Sequence, residues 1–240
     1  RILIALRRAP EGIRQCNLAL RAAPGFVQAL LCRAECNKAL RRMPETQADL
    51  RRALKLDKKA ERASRMLLSI LMDCAEYFAA EDLIEATWKP GKRPLAVDMH
   101  RAKILAETQR TKEALEAYTE IVDTHPDADV SFELGDLNQS LGNFDAAQEH
   151  FDAAISAHPD RGDIFRLYLT SKKIELDDPL VAHMQSKFED PKVDPSSRAH
   201  FAFALGKVHE DHKAYDAVFD YIHPANALKK STESYTFTRR

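Results

Sequence analysis

Glycine is scarce in this chain, with 7 residues among 240, at 12, 25, 91, 135, 142, 162 and 206. The closest two, Gly135 and Gly142, are too far apart to write G-x-G-x-x-G or G-x-x-x-x-G-K-[ST]. Both familiar phosphate-cradling loops are therefore absent, and nucleotide chemistry of those two kinds with them. No G-x-S-x-G elbow can be written either. No run of 18 apolar residues exists, so no membrane-spanning segment is expected. Cysteine numbers only four, at 16, 32, 36 and 74, without a C-x-x-C pair or nearby histidines to complete a metal site. The four read as small buried hydrophobes in a reducing, cytoplasmic setting. No metal and no cofactor are expected.

What is present is apolar and charged in ordinary proportion, 45% and 30%, enough to build a core and stay soluble. The net charge of −1 hides an asymmetry. Of the 36 basic and 37 acidic residues, the first 65 positions hold 16 and 6. The remainder carries the opposite excess. A basic end could steer an acidic partner or nucleic acid. Nucleic acid is disfavoured, because no aromatic residues interleave with the basic ones there. Solvated helix faces are the plainer reading.

The informative feature is a period. Ala147, Ala114, Ala80, Thr46 and Gly12 recur at intervals of 33 or 34, and every one is small. The position four further on reads Phe151, Tyr118, Ile84, Leu50 and Cys16, all apolar. Prolines 24, 126 and 159 mark the ends of units, with Lys58 and Lys92 standing in between. Leu134-Gly135, Ala147-x3-Phe151 and Pro159 match the tetratricopeptide repeat (TPR) pattern, while Ser131 and Asn138 replace its two aromatics. The chain thus resembles a TPR protein. Small residues on the first helix of each unit, helix A (Ala34, Ala102, Gly135, Gly206), let bulky residues of the second, helix B, approach closely. A lone helix pair cannot bury its apolar stripe, so neighbours must stack. The expectation is an all-α, right-handed superhelical solenoid of antiparallel helix pairs.

Pairs are predicted over 27–57, 60–90, 95–124 and 128–158. Residues 1–24 read as the tail of a helix A plus a whole helix B. The array thus starts in mid-repeat, which predicts further chain ahead of Arg1, cut away or disordered. The domain reading is a TPR array over 1–159, a degenerate pair over 160–197, a last repeat over 198–228 and a tail over 229–240. In the degenerate pair a helix is expected from Gly162 to Ile174, and Asp178-Pro179 and Asp194-Pro195 read as N-cap and first-turn signals. Pro224 should kink or stop the final helix. The loop Lys89–Pro94 is punctuation whose basic charge is solvated.

Residues 172–235 carry a second resemblance. Lys172-Lys173-Ile174-Glu175-Leu176-Asp177-Asp178-Pro179 and Phe201-Ala202-Phe203-Ala204-Leu205-Gly206-Lys207-Val208-His209-Glu210-Asp211 are similar to stretches of bacterial TPR–sulfotransferase proteins. So are Tyr215-Asp216-Ala217-Val218-Phe219, Asn226-Ala227-Leu228-Lys229-Lys230 and Tyr235, whereas His223-Pro224-Ala225 departs from the pattern. The resemblance implies the non-catalytic N-terminal portion of an enzyme that uses 3′-phosphoadenosine-5′-phosphosulfate. That family's P-R-S-G-T-T-like phosphate loop does not occur here, so no catalytic residue is assigned to this chain. The rival is a free-standing TPR adaptor that binds a peptide.

Other candidate chemistry has plainer explanations. His209 and His212 sit at helical spacing but lack a third ligand, and read as one packed and one solvated histidine. His125 and His158 recur with the repeat and mark helix ends. Trp88 is expected against the loop that follows it. TPR arrays bind along a concave face lined by helices A at repeat positions 2, 5, 6 and 9. There the second and third units place Arg62, Arg65, His100 and Lys103, and the fourth places Asp129, Glu133 and Asp136. These seven are the expected partner-binding residues, a basic wall followed by an acidic one. The partner would be a protein, a peptide or the chain's own downstream catalytic domain.

Overall fold

The computed structural model describes residues 8–232, which hold thirteen helices and no strand. Residues 1–7, with the expected tail of a helix A, and residues 233–240, with Tyr235 and most of the expected tail, lie outside the described residues. The chain divides into two compact units at Arg110 and Thr111. The first contains α1 (Ala9–Ala22), α2 (Val27–Ala39), α3 (Met43–Leu56), α4 (Glu61–Asp73), α5 (Tyr77–Thr87) and α6 (Leu95–Glu107). The second contains α7 (Thr111–Thr124), α8 (Ser131–Ser140), α9 (Phe144–Ala157), α10 (Gly162–Ser171), α11 (Pro179–Glu189), α12 (Pro195–Asp211) and α13 (Tyr215–Thr232). Even-numbered helices are helices A and odd-numbered ones are helices B. The chain is an all-α helical-repeat solenoid.

The small residues of the period are where helices cross. Thr46, Ala80, Ala114 and Ala147 are wholly buried, and so are Leu50, Ile84 and Phe151 four residues on. Cys16 breaks the series by staying half-buried. Gly135 shows the logic most directly: a Cβ there would stand 2.8 Å from the Phe151 ring. In the first unit Leu30, Leu68 and Ile70 pack with Leu50, Ile84 and Trp88. In the second, Phe151, Phe165, Tyr168 and Phe201 form the core.

Five A-to-B turns close in the same way; the longer connection from α10 to α11 does not. Arg41, Ala75, Gln109, Gly142 and Lys213 have φ between 56° and 80°, each just past the end of a helix A. The next amide bonds back five residues, Arg42 to Asn37, Glu76 to Leu71, Arg110 to Leu105, Asn143 to Asn138 and Ala214 to His209, at 2.8–2.9 Å. These are Schellman closures, which satisfy helix-end carbonyls and normally recruit glycine. Only Gly142 is one.

Several expectations need correction. Helix α10 ends at Ser171, not near Ile174. Helix α13 does not stop at Pro224 but runs to Thr232. Packing on both sides of the proline holds it: Ile222 lies against Gly206, and Ala225 is fully buried. Cys74 is exposed, so only Cys36 of the four is fully in the core; burial pushes the Cys16 and Cys36 thiols up and keeps them protonated. His212 is not solvated, because its Nε2 lies 2.9 Å from the Ile174 carbonyl. His209 stacks on Tyr221 at 5.2 Å. Arg93 is not solvated either; its side chain is 9% exposed and lies 3.9 Å from Asp98. The caps at Asp178 and Asp194 form as expected, accepting from Leu180 N at 2.9 Å and Ser197 N at 3.1 Å.

Candidate partner-binding face

In the first unit the two arginines of the basic set are already engaged with their own protein. Arg62 on α4 pairs with Glu35 on α2, and Arg65 pairs with Glu61 one turn back at 3.1 Å. Lys103 is exposed on α6. His100 is half-buried, and burial first, then Lys103, holds its imidazole below the ordinary value, against Asp73. Another cation of the basic N-terminal stretch is structural. Arg33 makes a two-point contact with buried Asp49, at 2.9 and 2.5 Å, and reaches Asn17 at 2.6 Å. That one side chain ties α1, α2 and α3 together.

In the second unit the acidic set faces the next helix A. Asp129 pairs with His158. Arg161, at the start of α10, feels both Asp129 and Glu133 and stacks over the Phe132 ring at 4.6 Å. Asp136 is half-buried; burial pushes its carboxyl up, against the pull of Arg166 on α10. Asp129, Glu133 and Asp136 therefore share one face of the unit with the arginines of α10.

Beyond them lies a feature that the seven expected residues do not include. A cavity of about 810 Å³ opens among α10, α12 and α13, lined by Arg166, Thr170, His200, Phe203, Lys207 and Lys229, with Ala199 at its floor. Its residues obey the repeat. Helix α10 follows α8 by 34 places, so Arg166 and Thr170 stand where Phe132 and Asp136 stand. Helix α12 aligns through Gly206 on Gly135, which puts His200, Phe203 and Lys207 at the positions of Asp129, Phe132 and Asp136. The same positional rule, carried past Pro159, finds them. The longer interval between α10 and α12 interrupts the period, and Gly206 marks the register again.

His200 is held below the ordinary imidazole value by burial, then by Arg166, with Lys229 adding to the effect and Asp163 opposing it. Its Nδ1 is buried without a hydrogen-bond partner among the described residues. A neighbouring cavity of about 550 Å³ is lined by both signs of charge, which neutralise each other: Lys187 pairs with Asp160 at 2.5 Å, and Arg161 with Asp163 at 2.8 Å. Among the described residues no three His, Cys, Asp or Glu side chains converge on a metal-sized site. No helix there is long and apolar enough to cross a membrane.

Comparison with known proteins adds to this geometry. Two tetratricopeptide repeat models match, over residues 96–128 and 128–161. Residues 96–161 carry TPR repeats. No curated protein matches the sequence. Among solved structures, a TPR protein from Parabacteroides merdae is similar with a TM-score of 0.69 at 13% identity, over 98% of this chain and 90% of that one. YrrB, described as a TPR protein with an unusual peptide-binding site, gives a TM-score of 0.55 at 17% identity, over 90% of this chain and 97% of its own. Pseudomonas aeruginosa pilF gives 0.55 at 15% identity, over 86% and 96%. At such identities the likeness speaks for the TPR fold alone, and that fold extends well past the matched repeats.

Proposed function

We propose that this chain is a protein-interaction scaffold whose binding face is formed by the helices A of its second unit. The observation that carries the reading is the cavity at repeat positions 2, 5 and 9 of α10 and α12. It is concave, part apolar and part charged, as peptide sites are. YrrB, with its peptide-binding site, supports a peptide or protein ligand for a fold of this kind. Arg62, Arg65, His100 and Lys103 remain candidates for a second contact area on the first unit. There a partner would have to displace Glu35 and Glu61 from the two arginines. The test is selection of a random short-peptide display library on the full chain, followed by NMR of the best binder. Chemical-shift changes at Phe203 and Thr170 support the site; changes confined to helices B, or no saturable binder, refute it.

A narrower reading rests on the resemblance of residues 172–235 to TPR–sulfotransferase proteins. In it this chain is the non-catalytic portion of a bacterial, cytoplasmic sulfotransferase and docks the catalytic domain or its acceptor. The alternative is a free-standing adaptor. The reading frame beyond Arg240 separates them: a P-R-S-G-T-T-like phosphate loop within about one domain length supports the enzyme, and a stop codon sinks it.

A further inference from the structure

The outward side of the helices B carries a charge pattern of its own. Counted from the small residue of the period (Gly12, Thr46, Ala80, Ala114 and Ala147), the positions two, six and nine further on share one side of the helix. All of them are exposed. On α1 they are Arg14, Leu18 and Arg21, and on α3 they are Ala48, Arg52 and Lys55. Helix α5 and the residues after it are balanced, with Asp82, Ala86 and Lys89. On α7 they are Glu116, Glu120 and Asp123. On α9 they are Glu149, Ala153 and Ser156, with Asp145 and Asp152 one turn before and after Glu149. The stripe therefore holds only basic charge on α1 and α3, and only acidic charge on α7 and α9.

These charges are not spent on their own protein. Arg14, Arg21 and Lys55 have no ion pair with a described residue; Glu11 feels Arg14 but is held by Arg8. Arg52 donates to the Pro24 carbonyl at 2.7 Å, which leaves its charge without a carboxylate. Glu116, Glu120, Asp123 and Glu149 have no cationic partner among the described residues. Lys112 is the one lysine or arginine in α7 or α9. Leu18, 56% exposed, stands between Arg14 and Arg21.

We propose that this protein associates with a second copy of itself, the basic side of α1 and α3 on one copy docking on the acidic side of α7 and α9 of the other. Both sides are built from successive helices B of one repeat, so their charges have the same spacing along the helices. A single exposed ion pair contributes little. Two matched stripes make several at once, around a Leu18 side chain that the contact takes out of water. A net charge of −1 sets almost no overall repulsion against the approach of two copies. None of these residues lines the cavity among α10, α12 and α13, so self-association and ligand binding use different residues.

Sedimentation velocity of the full chain tests the proposal. In about 50 mM salt the weight-average mass should rise above that of one chain as protein concentration increases, and in about 500 mM salt it should not. Arg14→Glu with Lys55→Glu should weaken the association on the order of tenfold or more, and so should Glu116→Lys with Glu120→Lys. Each variant is first shown to melt cooperatively. Mixing the two should restore association, because the unchanged basic side of one meets the unchanged acidic side of the other. A chain that stays monomeric in low salt at about 100 μM overturns the proposal. Association that survives both reversals, or that the mixture fails to restore, overturns it as well. A monomer that instead retains an oligonucleotide through Arg14 and Lys55 gives the basic side to nucleic acid and overturns it too.

Discussion

Gly162 lies so close to Ser197 that a Cβ at 162 would stand 2.2 Å from the Ser197 carbonyl oxygen. The Gly162 amide donates to Ser197 Oγ at 2.7 Å, and that hydroxyl donates to the Asp160 carbonyl at 2.6 Å. The contact clamps the start of α10 on the first turn of α12, the two helices that carry most of the cavity. Gly162→Ala should therefore cost about 1–3 kcal/mol through overpacking against backbone that cannot yield. It should also weaken any ligand of the cavity by spreading its walls. Urea melts and peptide titration of the same sample check both halves.

The left-handed turn residues make a prediction of opposite sign. An L-residue in that conformation costs roughly 1–2 kcal/mol, and glycine escapes it at the expense of some chain entropy. Ala75→Gly and Gln109→Gly should each stabilise the first unit by about 0.5–1 kcal/mol. Gly142→Ala should destabilise the second by a similar amount. Thermal melts of the three variants decide it.

Asp49 is 6% exposed at its side chain and carries a two-point contact from Arg33. Its removal leaves a partly buried guanidinium uncompensated, so Asp49→Ala should cost about 3 kcal/mol. Asp49→Leu with Arg33→Leu should recover much of it, since two apolar groups leave no orphan charge. The fold of the first unit, and not its surface charge, is what the pair serves. If Asp49→Ala melts like the wild type, that assignment is wrong.

The histidines give the chain a pH dependence. His100 and His200 titrate below the ordinary imidazole value, burial being the first cause at each. Around His200, Arg166 and Lys229 push the same way and Asp163 the other. In the unfolded chain both imidazoles protonate near their ordinary value, so as pH falls the unfolded state takes up protons first. Stability should decline from about pH 7 downward through the imidazole range, then level off once the folded imidazoles protonate. His200→Gln should flatten that slope. A slope unchanged in the double variant with His100→Gln would remove both residues from the account.

The helix crossings were legible in the sequence because their requirement is a property of single residues. Only a small side chain fits where Ala80, Ala114 and Ala147 meet the neighbouring helix, so the period shows through. The turns were not legible. Arg41, Gln109 and Lys213 adopt a conformation that their identity disfavours, and neighbouring helices impose it. The same holds at Pro224, where packing of Ile222 and Ala225 outweighs a missing amide. The acidic face of α8 could be read from spacing, but its arginine counterparts on α10 needed the fold. The cavity escaped because the interval from Arg166 to Phe203 exceeds one repeat, which breaks the count at the point where it mattered.

The order in which the helices pack bears on how the molecule responds to load. In the second unit α8 packs on α9 and α12 on α13, but α10 packs chiefly on α12, two helices further along the chain. Drawn out from its C-terminal end, such a unit would first lose α13 and then meet the α10–α12 contact, where Gly162 is held to Ser197, as a strap. Past that strap it would yield by peeling, one helix pair after another, each recoiling once the tension is released. A partner bridging α10, α12 and α13 would act as a rivet across that peeling line.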